Sequence, residues 1–339
     1  MTATESRVRA LAAERPGRGR EAGAGPENDR RRSPMTSEAA WEVPEPLSAC
    51  EVRHDDGSVT VVRRHGCPEG PRLLLCHGNG LAIDLYYPFW SLLTREFDLL
   101  VYDLRNHGWN DVGPREEHNV PNLVRDQEQV IDAVARRYGD RPTVGVFHSL
   151  SALTTLLSPM LSAGRTGTLS AWVLFDPPLF RPGPGDPDYD ALAEMSAGIT
   201  LRRAHRFRKR QHFTDLLSYL PLLVRAVPGA SDLMARTILR ESSGDEGYEL
   251  RCPREYEAQI IAYVRTYAFL VDFGSLPCPT KVVGSDPTLP YAYLPTFDLS
   301  HIRTVEYDFI PETTHFLQLE KPAECVRAMR DFLADRGLA

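Results

Sequence analysis

The sequence predicts an α/β fold: a mostly parallel sheet with helices on both faces, interrupted by one helical insertion. Three observations predict it. Short apolar runs alternate with longer amphipathic segments from about residue 59 to the C-terminal end. Several of those runs are apolar throughout, as strands covered on both faces must be. The rhythm lapses between about residues 178 and 276 and then resumes.

SVTVVRR (58–64) alternates like an outer strand, whereas RLLLC (72–76) is continuously apolar. FDLLVYD (97–103), TVGVFH (143–148) and LSAWVLFD (169–176) follow as strands, and TKVVG (280–284) and RTVEYDF (303–309) complete the set. Between them, VPNLVRDQEQVIDAVARRYG (120–139) has helical periodicity, with Pro121 near its start and Gly139 after its last apolar position. SLSALTTLLSPML (149–161) is apolar almost all round, which predicts a central helix. PAECVRAMRDFLADRG (322–337) closes the chain, with Pro322 in its first turn. The connections between parallel strands are expected to be right-handed crossovers.

The lapse opens with the proline- and glycine-rich PPLFRPGPGDPD, then turns helical and strongly basic at LRRAHRFRKRQH (201–212), with no strong strand signal. A helical cap inserted between two sheet strands fits this pattern, lying over the strand ends where open α/β sheets bind ligands. The expected partition is a disordered tail (1–40), the first part of the sheet domain (41–177), a mostly helical cap (178–276) and the second part of the sheet domain (277–339). The tail holds eight arginines and six acids but almost no large apolar residue. It therefore lacks the apolar segment of a secretory signal.

Composition narrows the class further. The 339 residues carry 39 Lys+Arg against 46 Asp+Glu, a net charge of -7, so the whole surface has no reason to attract nucleic acid. The basic stretch in the cap reads as a solvated helix face; it lacks the interleaved aromatics of a base-stacking surface beyond Phe207. Cys50, Cys67, Cys76, Cys252, Cys278 and Cys325 form no CxxC pair, which points to a reducing compartment and a cytoplasmic location. No apolar run is long enough to span a bilayer; FTDLLSYLPLLVRAV (213–227) comes nearest, but Asp215, Pro221 and Arg225 interrupt it.

The chemistry concentrates in GVFHSLSALTTLL (145–157), where a strand ends at His148, Ser149 follows, and a helix begins at once. A serine on such a turn has an exposed hydroxyl, and the helix N-terminus aims N–H groups at the same place. LLLCHGNG (73–80) is a strand followed by a glycine-rich turn, able to supply a second N–H from Asn79 beside that of Leu150. Asp286 follows TKVVG in the stretch GSDPT, and His315 lies in PETTHFLQLEKP between the last strand and last helix. The chain order is thus serine, acid, histidine.

From about residue 59 to 337 the chain resembles the α/β-hydrolase superfamily, in its serine-hydrolase branch with a helical cap. HGNG (77–80), DLRNHGWN (103–110) and THFLQLEKP (314–322) look like that family's oxyanion loop, post-strand loop and histidine loop. The resemblance implies Ser149 as nucleophile, His315 as general base and then acid, and Asp286 as the orienting carboxylate. It also implies Asn79 and Leu150 as oxyanion-hole donors. Asp176, at the end of AWVLFD, is the alternative acid, because the superfamily sometimes places its acid after that earlier strand. His148, beside the nucleophile, is expected to support the turn rather than act as base.

The departure lies in the G-x-S-x-G pattern, which reads here Phe147-His148-Ser149-Leu150-Ser151. Ser151 is small, but Phe147 is not, and it motivates the alternative of a non-catalytic ligand-binding protein on the same fold. No H-E-x-x-H cluster or phosphate-binding glycine loop is present, so neither metal nor cofactor is expected. The expected activity is hydrolysis of an ester, thioester or lactone in a mostly apolar small molecule; carbon–carbon bond hydrolysis by the same residues is the variant. Ile83, Tyr86, Tyr87, Trp109 and Phe180 are the pocket candidates, on the strength of their placement in loops.

Overall fold

The seven apolar runs all form strands, and an eighth joins them at one edge. In the computed structural model, residues 40–161, 169–179, 188–219, 223–242, 244, 246–289 and 304–339 are described. The expected tail, residues 1–40, falls outside these but for its last position. The strands are β1 (Ser48–Arg53), β2 (Val59–Gly66), β3 (Arg72–Cys76), β4 (Asp98–Tyr102), β5 (Thr143–His148), β6 (Ala171–Phe175), β10 (Thr280–Gly284) and β11 (Val305–Phe309). Their order in the sheet is β1-β2-β4-β3-β5-β6-β10-β11. β1 pairs antiparallel with β2 and β2 antiparallel with β4, and all other neighbours are parallel. β1 escapes a sequence reading because SACEVR mixes polar and apolar residues on an edge, where only Val52 is buried.

Every residue of β3, β4, β5 and β6 is buried, which is why these runs are apolar without alternation. Helix α1 (Val120–Tyr138) starts where Asn119 caps it: the side-chain oxygen accepts the Asn122 N–H at 2.9 Å. It stops at Gly139, whose φ of +89° an L-side chain rarely adopts. Helix α2 (Leu150–Leu161) is buried from Leu150 to Ser158, as its all-round apolarity requires. The closing helix α7 (Pro322–Ala334) buries Cys325, Val326, Met329, Phe332 and Leu333.

The region inserted between β6 and β10 is helical, with α3 (Asp188–Arg202), α4 (Arg210–Leu217), α5 (Ala230–Thr237) and α6 (Arg254–Ala268). It also holds a three-stranded antiparallel sheet, in the order β7 (Arg206–Phe207), β9 (Tyr248–Leu250), β8 (Leu239–Glu241), that the sequence does not announce. Strands of two or three residues are too short to show a period of two. The basic stretch 201–212 is accordingly not one helix: α3 ends at Arg202, β7 intervenes, and α4 begins at Arg210. Its arginines are partly engaged. Arg203 pairs with Glu257, Arg206 approaches Glu249, and the Arg210 guanidinium lies 4.3 Å from the Tyr248 ring centroid. Among the described residues no helix is long and apolar enough to cross a membrane.

Two buried histidines make stability depend on pH. His65 of β2 packs on Trp90 at a centroid distance of 5.0 Å, and its Nε2 has no partner among the described residues. Burial, aided by Arg63, pushes its pKa down from 6.5 to about 4. Burial, aided by Arg105, does the same to His118. Between pH 6.5 and 4 the unfolded chain binds protons that the native one refuses. Stability is therefore fully present above pH 6.5 and is lost as pH falls towards 4, by about 2 to 3 kcal/mol per histidine. Urea midpoints measured across that interval should fall steadily, and His65→Phe should flatten part of the slope. A midpoint insensitive to pH there would contradict this account.

Candidate active site

Ser149 sits between β5 and α2 with φ of +53°, a left-handed conformation for a non-glycine residue. Its N–H donates to Phe175 C=O of the neighbouring strand at 2.9 Å, and its own C=O accepts the Leu153 N–H at 2.9 Å. Ser151 Oγ ties the turn from beneath, donating within reach of Cys76 C=O (3.1 Å) and His148 C=O (2.9 Å). The site is thus held by backbone bonds on both sides of one strained residue.

Phe147 does not disrupt this turn. Its ring is fully buried on the α1 and α2 side of the sheet, and a Cβ at Gly145, two residues earlier on the same face, would lie 2.4 Å from it. Gly145 leaves on this face the room that the Phe147 ring fills.

The Ser149 hydroxyl donates to His315 Nε2 at 2.9 Å, and His315 Nδ1–H donates to Asp176 Oδ2 at 2.7 Å. An ionised carboxylate only accepts, so this contact sets the imidazole tautomer and turns the Nε2 lone pair towards the Ser149 hydroxyl. Asp176 is fully buried with φ of +39°, directly after β6, and its carboxylate accepts the Ser285 N–H (3.1 Å) and hydroxyl (3.3 Å).

Asp286, the acid expected on His315, is elsewhere. Its Oδ1 accepts the Thr288 N–H (2.8 Å) and hydroxyl (2.7 Å), and its Oδ2 accepts the Glu312 N–H at 2.7 Å. Two of these contacts hold its own loop at Thr288 and one reaches the loop that carries His315, while the alternative acid, Asp176, meets the imidazole. Glu320 braces the other side of that loop, accepting the Thr314 N–H at 2.7 Å and the Thr314 hydroxyl.

The glycine-rich turn after β3 lies against Ser149. A Cβ on Gly78 would come within 2.9 Å of Ser149 Cβ and 3.3 Å of its Oγ, so only glycine fits. Asn79 is next in this turn, and Leu150 is the first residue of α2, where N–H groups lack an intrahelical partner.

His148 is engaged on both ring nitrogens. Nδ1 accepts the Tyr86 hydroxyl at 2.6 Å, and Nε2–H donates to His315 C=O at 2.9 Å. Burial, with the nearby His315, depresses its pKa well below the usual value, so it stays neutral and acts as a brace. The Tyr86 hydroxyl also accepts the Gly78 N–H at 3.3 Å, linking the glycine turn, the serine turn and the histidine loop.

The pocket candidates divide. Ile83 and Tyr86 are buried, Ile83 donating its N–H to Asp103 Oδ1 at 2.8 Å. Tyr87 stacks edge-on against Trp41 and Trp90. Trp109 is 48% exposed, donates its indole N–H to Asp84 at 3.0 Å and lies under the Arg63 guanidinium. Phe180 lies outside the described residues.

His107, His118 and Cys252 bring donor atoms within 4.8 Å of one another. Both His107 ring nitrogens are already used, Nδ1–H on Arg105 C=O (2.8 Å) and Nε2 on the Gly80 N–H (2.9 Å). Burial also raises the Cys252 thiol pKa, whereas a metal needs the thiolate. His118 Nδ1 accepts from the Asn106 amide at 3.0 Å, and its Nε2 is buried without a partner among the described residues.

Residues 73–328 match the family model described as the alpha/beta hydrolase family. The chain belongs to that family. Among known proteins, the hydrolase is 26% identical over 104 residues to a poly(3-hydroxyalkanoate) depolymerase from Ectopseudomonas oleovorans. That match covers 31% of the hydrolase and 36% of the depolymerase, so it spans about a third of the relative's length. Among solved structures, E-2-(acetamidomethylene)succinate hydrolase superposes with a TM-score of 0.66 at 18% identity, covering 85% of this hydrolase and 99% of that chain. A thermophilic esterase from Thermogutta terrifontis gives 0.59 at 17% identity, with 85% and 98% covered. The thioesterase domain from the curacin biosynthetic pathway gives 0.61 at 17% identity, with 84% and 98% covered. At these identities the likeness establishes the fold: the family's central sheet with an inserted cap.

Proposed function

We propose that the hydrolase cleaves an ester, thioester or lactone through an acyl-enzyme on Ser149, and that Asp176 is the acid of its triad. The observation that carries this reading is the hydrogen-bonded chain from Ser149 through His315 to Asp176. As Ser149 Oγ attacks the acyl carbon, its proton passes to His315 Nε2. The imidazolium is stabilised by buried Asp176, itself fixed by two donors from Ser285. The oxyanion that forms is met by the N–H groups of Asn79 and Leu150, each contributing roughly 2.7 to 4 kcal/mol in the transition state.

His315 then gives its proton to the leaving alkoxide or thiolate. A water, deprotonated by His315, attacks the acyl carbon; as the bond from that carbon to Ser149 Oγ breaks, His315 returns the proton to Oγ, which closes the proton count over the cycle. A serine hydroxyl within hydrogen-bond reach of an oriented imidazole favours this reading over a ligand-binding protein without turnover. The depolymerase relative is named for a polymer joined by ester bonds, which agrees with the bond class. A mostly apolar small-molecule substrate and a cytoplasmic location, which six cysteines without a CxxC pair favour, complete the reading.

An active-site-directed fluorophosphonate tests it. The hydrolase should be labelled stoichiometrically, and Ser149→Ala should not be labelled at all. Equal labelling of both folded proteins, or of neither, would remove Ser149 as the nucleophile.

A further inference from the structure

The glycine turn that carries Asn79 is held from the cap as well as from the sheet. The Asn79 side-chain Nδ2 donates to the backbone C=O of Glu257, in the first turns of α6, at 3.0 Å across 178 residues of chain. Next to it, Gly80 (φ +72°) lies so close to Glu257 that a Cβ there would meet its Oε2 at 2.4 Å. The Glu257 carboxylate is buried and gripped by both guanidinium nitrogens of Arg203, just after α3, one of them at 2.9 Å. Arg254 ties the same corner by donating to Arg203 C=O at 2.7 Å. On the sheet side, the turn is anchored through the Gly80 N–H on His107.

Glycines flank Asn79 on both sides, so the turn has little stiffness of its own. Its side chain is the tether that reaches the cap, and the Arg203–Glu257 pair fixes the end of that tether. We propose that Glu257, locked by Arg203, is a positioning residue for the oxyanion hole: helix α6 of the cap holds Asn79 so that its N–H meets the acyl oxygen. This rests on the ester-hydrolase reading of Ser149. The cap is then a working part of the transition-state complement, and a substrate that disturbs the α3–α6 corner lowers turnover without losing affinity.

The experiment compares para-nitrophenyl acetate with its thionoester, in which sulfur replaces the carbonyl oxygen. Sulfur is larger and a poorer hydrogen-bond acceptor, so the rate ratio of the two esters reports the oxyanion donors. It is also independent of how much of a variant is folded. Asn79→Ala keeps the backbone N–H and removes the tether; Arg203→Met releases Glu257; Arg203→Lys keeps a charge partner.

For the first two, kcat on the oxygen ester should fall about 10- to 100-fold with KM within about threefold, and the oxygen-to-sulfur ratio should fall about tenfold. Arg203→Lys should restore most of the ratio. A wild-type ratio retained in both Asn79→Ala and Arg203→Met overturns the proposal, whatever happens to the overall rate. Absence of Ser149-dependent turnover in the wild type would instead remove the ester-hydrolase reading, and this proposal with it.

Discussion

Asp176→Asn should lower kcat by about 10⁴-fold, while Asp286→Asn should leave it within about tenfold of wild type. The asymmetry follows from what each carboxylate touches. In Asp176→Asn the amide oxygen stays on the Ser285 donors, and the amide nitrogen turns towards His315. An N–H facing Nδ1 forces the imidazole into the other tautomer, with its proton on Nε2. Nε2 then has no lone pair for the Ser149 proton, although every atom of the chain remains near its place.

Asp286→Asn acts on the loop backbone. One of its three contacts, that to the Glu312 N–H, would face an amide nitrogen instead of an oxygen. Its cost should be read mainly in stability, as about 1 to 3 kcal/mol for one unsatisfied donor. Steady-state kinetics and urea denaturation on both variants separate the two roles. Comparable kcat losses of several thousandfold in both would refute the assignment of Asp176 over Asp286.

That pair also marks how far the sequence is legible. Both aspartates follow an apolar strand, Asp176 immediately after Phe175 and Asp286 two residues after Gly284. A linear pattern therefore offers two acids at strand ends and no measure of which one His315 reaches. The choice is made in space, by β6 lying beside β10 and by the Asp286 lone pairs being committed to Thr288 and Glu312. The serine turn was readable because strand, serine and helix are contiguous. Phe147 looked like a defect for the complementary reason: the compensating Gly145 has meaning only once strand alternation puts both on one face. The short cap strands and the α6 tether to Asn79 left no periodic trace, being built from two- and three-residue pairings and one contact over 178 residues.

Ser149→Ala should lower kcat by about 10⁶-fold, and adding Asp176→Asn or His315→Ala to it should lower kcat no further. If the three side chains acted independently, the double variants would lose the product of the single effects. They act on one proton, however. In the proposed mechanism His315 matters because it accepts the Ser149 proton, and Asp176 matters because it holds His315 in the accepting tautomer. With the hydroxyl gone there is no proton to move, and neither partner has a task.

What should survive in Ser149→Ala, on this mechanism, is binding and oxyanion stabilisation from the glycine turn and the α2 N-terminus, acting on attack by water, about 10³- to 10⁴-fold above the uncatalysed rate. That residue of catalysis should respond to Asn79→Ala, which touches the oxyanion donors, and ignore Asp176→Asn, which touches only the proton path. Single-turnover rates of the four double and single variants distinguish the two behaviours. A further large loss on adding Asp176→Asn to Ser149→Ala would mean that the carboxylate works on something other than the serine proton.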